Sequence, residues 1–169
     1  MRKLKRQDGN NIVQEDLTGL VRRLDYIPLA ITQAASCINQ RAPRMTISKY
    51  LEALESSDGE HTKLLLMDIR DPRRDGQASN LVIATWYISF DYLWHSRHSA
   101  SRFLSLMSLF DREGIPDHLL RDRYLDDQSD ETDFEEDIAT LTAYSLIGIV
   151  FSGDVFEMHR LVQFSTKVA

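Results

Sequence analysis

The sequence has 169 residues, 43% of them apolar and 27% charged, with 7 Gly and 4 Pro, a balance that supports a buried core and excludes wholesale disorder or a collagen-like chain. Lys and Arg number 20 against 26 Asp and Glu, and the net charge of -6 argues against a phosphate backbone as partner unless the bases cluster. The single cysteine excludes an internal disulfide and a Cys-based zinc site and points to a reducing, cytoplasmic setting.

The basic start, Met1 to Arg6, has no apolar stretch behind it and is no secretory signal; the first 14 residues carry no clear periodicity. Leu17, Leu20, Val21 and Leu24 share one helical face, and Asp25 and Pro28 break that helix. A second helix opens at Pro28, turns Ile31, Ala34, Ala35 and Ile38 inward, and ends before Pro43; its alanines predict close approach to a neighbour. A third, short helix follows Thr46 and carries Ile47, Tyr50, Leu51 and Leu54. Turn-forming and charged residues dominate 56–80, apart from one helical turn at Leu64 to Met67, so 68–79 is read as a linker.

The second half opens with an amphipathic helix whose face is Ile83, Trp86, Tyr87, Phe90, Leu93 and Trp94. Another begins near Ser99 with Phe103, Leu104, Met107 and Phe110 inward; Gly114 reads as a helix stop and Pro116 as the first turn of a short helix through Leu120. Asp122, Asp126, Asp127, Asp130, Glu131, Asp133, Glu135, Glu136 and Asp137 then form an acidic stretch, read as a solvated surface, with a capping box at Thr132 starting a helix that buries Phe134, Ile138 and Leu141. Ser145 to Phe151, the turn Ser152-Gly-Asp154 and Val155 to Met158 form a β-hairpin, and His159 to Val168 a last helix. The longest apolar run, Leu146 to Phe151, is far too short to span a membrane.

No phosphate-binding Gly-rich loop, nucleophile elbow or metalloprotease motif is present. Of the histidines, His61, His95, His98, His118 and His159, the pair His95 and His98 lies three apart at a helix end and lacks further ligands, so no metal site is expected. Cys37 reads as a small buried hydrophobe, the aromatic stripe at 86–94 as core, and the acidic stretch as lacking the order of a calcium loop. Two strings remain. One is Leu24 to Ile31, with a proline opening a helix; the other is Phe156 to Gln163, with a histidine where strand meets helix. Helix N-termini offer free amides and partial positive charge, which suits a phosphate.

Tyr26-Ile-Pro-Leu-Ala30 resembles the Gly-Leu-Pro-Leu-Ala motif of NB-ARC signal-transduction NTPases, and Met158-His-Arg160 resembles their Met-His-Asp motif, in the same order and about 130 residues apart. The strings Ala84 to Asp91, Leu104 to Pro116 and Tyr144 to Ile147 look closest to fungal NB-ARC or NACHT proteins with downstream tetratricopeptide repeats. The resemblance covers about 15 to 168. It implies that Pro28 lines the adenine side of a bound ADP and that His159 reaches its phosphates. Arg160 departs from the family's aspartate, and Tyr26-Ile27 from its Gly-Leu.

The expected fold is therefore mainly α: residues 1–67 the C-terminal part of an NB-ARC helical domain, 68–79 the linker, and 80–169 a winged-helix domain with a small hairpin wing. The expected function is regulatory, closing over ADP in a full-length protein, with ADP or ATP and magnesium held by a phosphate-binding part upstream of residue 1. The expected partners are that nucleotide-binding domain, the C-terminal repeats and other proteins, with no membrane and no nucleic acid. No catalytic residue and no ATPase activity are expected of the chain itself. The alternatives are a stand-alone winged-helix DNA-binding module, against which the wing at 149–157 lacks Lys and Arg, or a truncated protein-interaction scaffold.

Overall fold

The computed structural model describes residues 14–57, 76–125, 131–150 and 154–168. They are mainly helical: α1 (14–23), α2 (Pro28–Gln40), α3 (Ile47–Ser57), α4 (Gly76–Ser96), α5 (His98–Ser108), α6 (Asp117–Leu125), α7 (Glu131–Ala143) and α8 (Arg160–Val168). Three short strands, β1 (Ile115–Pro116), β2 (Gly148–Ile149) and β3 (Val155–Glu157), form an antiparallel sheet in the order β1-β3-β2. Among the described residues, no helix is long and apolar enough to cross a membrane.

The turn from α1 to α2 is a left-handed helix stop. Tyr26 N donates to Val21 O at 3.2 Å and Asp25 N to Arg22 O at 3.1 Å, with φ +50° at Asp25 and +57° at Tyr26. Pro28 then opens α2, as the fixed φ of proline favours. The predicted faces of both helices are rotated in the structure. Leu20 and Leu24 are buried but Leu17 is exposed; on α2 the buried line is Ala30, Gln33, Ala34 and Cys37, while Ala35 faces solvent. The small residues at 30, 34 and 37 let α2 lie close on α4.

Helix α4 departs most from its predicted amphipathic form. From Leu81 to Phe90 every residue except the half-buried Tyr87 is buried, whereas Trp94, placed on the core face by periodicity, is 46% exposed. The reason is position: α2 and α3 pack against α4, and so do α5 and α8. A helix covered on all sides is apolar all round. Trp86, fully buried, stacks on Phe90 with ring centroids 4.7 Å apart. The helix starts at Gly76, inside the stretch predicted as linker; 68–75 and the predicted turn at 64–67 lie outside the described residues, as do His61 and the chain start. Buried residues on α1 to α3 and on α4 to α8 belong to one continuous core.

Two further local expectations change. Pro116 lies in β1, not in a helix, paired with Val155 while Ile115 pairs with Phe156; α6 begins one residue later, where Asp117 N donates to Asp154 O at 2.8 Å. Proline tolerates this place because β1 is an edge strand. Gly114 (φ +73°) sits in the loop before β1, six residues beyond the end of α5, so its left-handed backbone serves the loop and caps no helix. The predicted hairpin is present as β2 and β3, with Gly148 opposite Glu157 and Ile149 opposite Phe156; its 151–153 segment lies outside the described residues. Helix α7 starts at Glu131, one residue ahead of the predicted cap, and buries Phe134, Ile138 and Leu141 as expected.

Candidate functional site

His159 lies between β3 and α8, with its ring exposed. Its Nδ1 accepts the Leu161 backbone N–H at 3.2 Å, so the side chain caps the first turn of α8. An acceptor Nδ1 carries no proton, which leaves the neutral ring its proton on Nε2, a donor. Arg160, the first residue of α8, is exposed and takes no part in this bond.

The residue before the histidine, Met158, is buried, and its N–H donates to Arg112 O at 2.9 Å. This ties the α5–β1 loop to the end of β3. Helix α7 closes on the other side with a Schellman stop: Leu146 N donates to Leu141 O at 3.0 Å and Ser145 N to Thr142 O at 2.9 Å, with φ +56° at Ser145. The Ser145 hydroxyl meets that of Ser36 on α2 at 2.7 Å. These segments border a cleft of about 480 Å³ whose polar lining includes Arg112, Glu113, Thr142, Ser145, Glu157 and His159. Arg112 is ion-paired with Glu113. At Gly148 a Cβ would meet the Glu157 side chain at 3.1 Å, so the glycine lets that side chain lie across β2.

Pro28 is exposed at the first position of α2 and is not among the described residues lining this cleft. The structure joins α2 to the cleft through Ser36 instead. The other histidines stand apart: His95 Nδ1 bonds Asp91 O at 2.8 Å, His98 meets the Trp94 ring edge-on at 4.3 Å, and His118 is exposed on α6. Among the described residues no group of three His, Cys, Asp or Glu side chains is placed to hold a metal. Cys37 is fully buried, and burial pushes its thiol up, as suits a small hydrophobe.

The acidic stretch holds a site that its reading as a solvated surface conceals. Asp137 is wholly buried and accepts bonds from Arg97 Nε at 2.5 Å, Tyr124 OH at 2.6 Å and Ser99 Oγ at 3.0 Å. Arg97 also reaches Glu136 at 2.9 Å, and Arg121 pairs with Glu135 at 2.8 Å and Asp117 at 3.2 Å while its guanidinium lies over the Phe134 ring. Arg97 therefore pins the break between α4 and α5 to α7. Burial draws the Arg97 guanidinium down, but its bonds to Asp137 and Glu136 more than offset this and hold it above its ordinary value. Burial, then the bond to Asp137, raises Tyr124. The signal for Asp137 was present in the spacing: it lies three residues past Phe134 and four before Leu141, on the buried face of α7.

Known proteins resemble the chain in two ways. A family described as a domain of unknown function, DUF7779, matches residues 92–168, from within α4 to the end of α8. A "Nucleotide-binding leucine-rich repeat (NLR)-like protein" of Hyaloscypha variabilis is 38% identical over 164 residues, which is 95% of this chain and 16% of that protein. The chain is thus related to a segment of a fungal NLR-like protein and spans about a sixth of its length. No solved structure matches the chain.

Proposed function

We propose that this chain is the regulatory segment of an NLR-type signalling ATPase, a cytoplasmic switch that closes over ADP in the full-length protein. In this reading α1 to α3 end the helical domain, and α4 to α8 with the sheet form the winged-helix domain. The order helix, strand, helix, helix, strand, strand from α5 to β3, with β1 completing the sheet on β3, supports the winged helix. The left-handed Tyr26 supports the match to the Gly-Leu-Pro-Leu-Ala motif, since a glycine takes that conformation without strain. Magnesium and the γ-phosphate would be held by the nucleotide-binding domain of the parent, so the chain alone hydrolyses no ATP. Its partners are that domain and the C-terminal repeats.

The observation that carries the reading is the capped imidazole. His159 presents a fixed Nε2–H donor at the positive end of α8, beside a cleft, which is the chemistry a phosphate oxygen needs. Leu161 N–H, not residue 160, sets this tautomer, so arginine in place of the family's aspartate leaves the donor intact. Replacing His159 by alanine in the full-length parent protein should speed ADP release about 10- to 100-fold, the worth of one bond to a charged group. An unchanged release rate, followed with a fluorescent ADP, would overturn the reading.

A further inference from the structure

A second cleft, of about 440 Å³, opens between α3 and α4 and shares no lining residue with the one beside His159. Helix α4 gives it Tyr87, Asp91 and His95, four apart on one ridge, with Ile88 and Tyr92 on the next. Ala53 and Ser56 come from α3, and Arg41 and Met45 from the segment between α2 and α3.

Arg41 stands out in this lining. Its backbone is fixed at the end of α2, where its N–H donates to Cys37 O at 3.2 Å and its carbonyl accepts from Met45 N at 3.0 Å. The residue is half-buried, and its guanidinium sits 4.1 Å over the Tyr92 ring. A ring face steadies a cation but neutralises no charge, and the planar fork of N–H donors still calls for acceptors. Among the described residues no carboxylate pairs with Arg41. Asp91, in the same lining, has its Oδ1 3.6 Å from His95 Nδ1 instead. Cys37 beside the guanidinium is fully buried, and burial pushes its thiol up, so it brings no negative charge. The other half-buried arginines are all provided for: Arg97 holds Glu136 and Asp137, Arg112 holds Glu113, and Arg121 holds Asp117 and Glu135. Arg41 is the exception, and it is the one set in a cleft with tyrosine rings, Met45 and Ile88.

Small-molecule sites have this make-up, a mainly apolar cleft with a few fixed polar groups. A guanidinium fork matches a carboxylate through two parallel hydrogen bonds. Asp91 in the lining sets a like charge against any ligand that carries more than one negative charge. We propose that this cleft binds a small molecule bearing a single carboxylate on an apolar ring system, the carboxylate on Arg41 and the rings against Tyr87, Ile88 and Met45. The site stands or falls apart from the nucleotide reading, since the two clefts have no residue in common.

An NMR titration of the whole chain with 1-naphthoate tests it. The Arg41 Nε–H and Tyr92 ring signals should shift saturably at millimolar concentration or below. The amide, 1-naphthamide, has the same shape without the charge and should bind about 10- to 100-fold more weakly, the worth of a charge-assisted pair. Arg41→Lys keeps the charge but loses the fork, and should weaken 1-naphthoate about tenfold. No saturable shift up to about 10 mM, equal affinity for acid and amide, or unchanged binding by Arg41→Lys would each overturn the proposal. So would binding by this chain that disappears in the full-length parent protein, because a carboxylate of the parent would then occupy the fork.

Discussion

Asp137 and His159 each anchor a polar site, and the two are finished in opposite ways. Asp137 is shut in the core and answers to three donors from α6 and from the junction of α4 and α5. Nothing about it is available to a ligand. His159 gives one ring nitrogen to the backbone of α8 and keeps its ring in solvent beside an open cleft. The lesson is that charge density along a sequence says little about exposure. The acidic stretch contributes a structural knot, while the open cleft has a single capped histidine at its edge.

The contrast can be broken first with alkali. Burial raises Tyr50, Tyr124 and Tyr144, the last to about 12, so the folded protein keeps phenolic protons that the unfolded chain gives up near pH 10. Below pH 10 both states are protonated and the contribution is fully present. Above it the unfolded chain binds fewer protons, and stability falls by on the order of 1 kcal/mol per pH unit for each tyrosine until the folded protein titrates too. The share of tyrosinate absorbance that Tyr124→Phe removes should therefore appear together with loss of helical circular dichroism. If that share rises well before unfolding, the knot around Asp137 is open to solvent.

Next in size is Asp137→Ala, which strands the partly buried Arg97 and the Tyr124 hydroxyl; a loss of about 3 kcal/mol is expected in urea unfolding. A loss under 1 kcal/mol would place Asp137 with ordinary surface acids. The smallest effect belongs to the other site. His159→Ala removes one cap and should lower the stability of the chain by about 1 kcal/mol. If the two substitutions destabilise equally, the division between a closed and an open polar site fails.

Much of the helical layout was legible because periodicity and punctuation agree. Pro28 starts α2, Tyr50 and Leu54 are the buried positions of α3, and the hairpin follows the change from a helical to a β-rich pattern. What was hidden depends on partners distant in sequence. β1 exists because Ile115 finds Phe156, and a two-residue strand has no period of its own. Helix α4 was read by its large residues, yet Thr85 and Ser89, which look like its solvent face, are buried under α2 and α3. Periodicity identifies one covered face; it cannot count how many neighbours arrive. Of the candidate site, the histidine at the strand–helix junction was legible, whereas the cleft beside it was not, since its walls come from four segments.

The encirclement of α4 bears on where this protein can be cut. The family match begins at residue 92, near the end of that helix, so a piece trimmed to the match would discard Leu81 to Phe90. Helices α5 and α8 pack against α4, so such a piece would expose apolar surface and should clump. Helix α4 starts at Gly76, some sixteen residues ahead of that border.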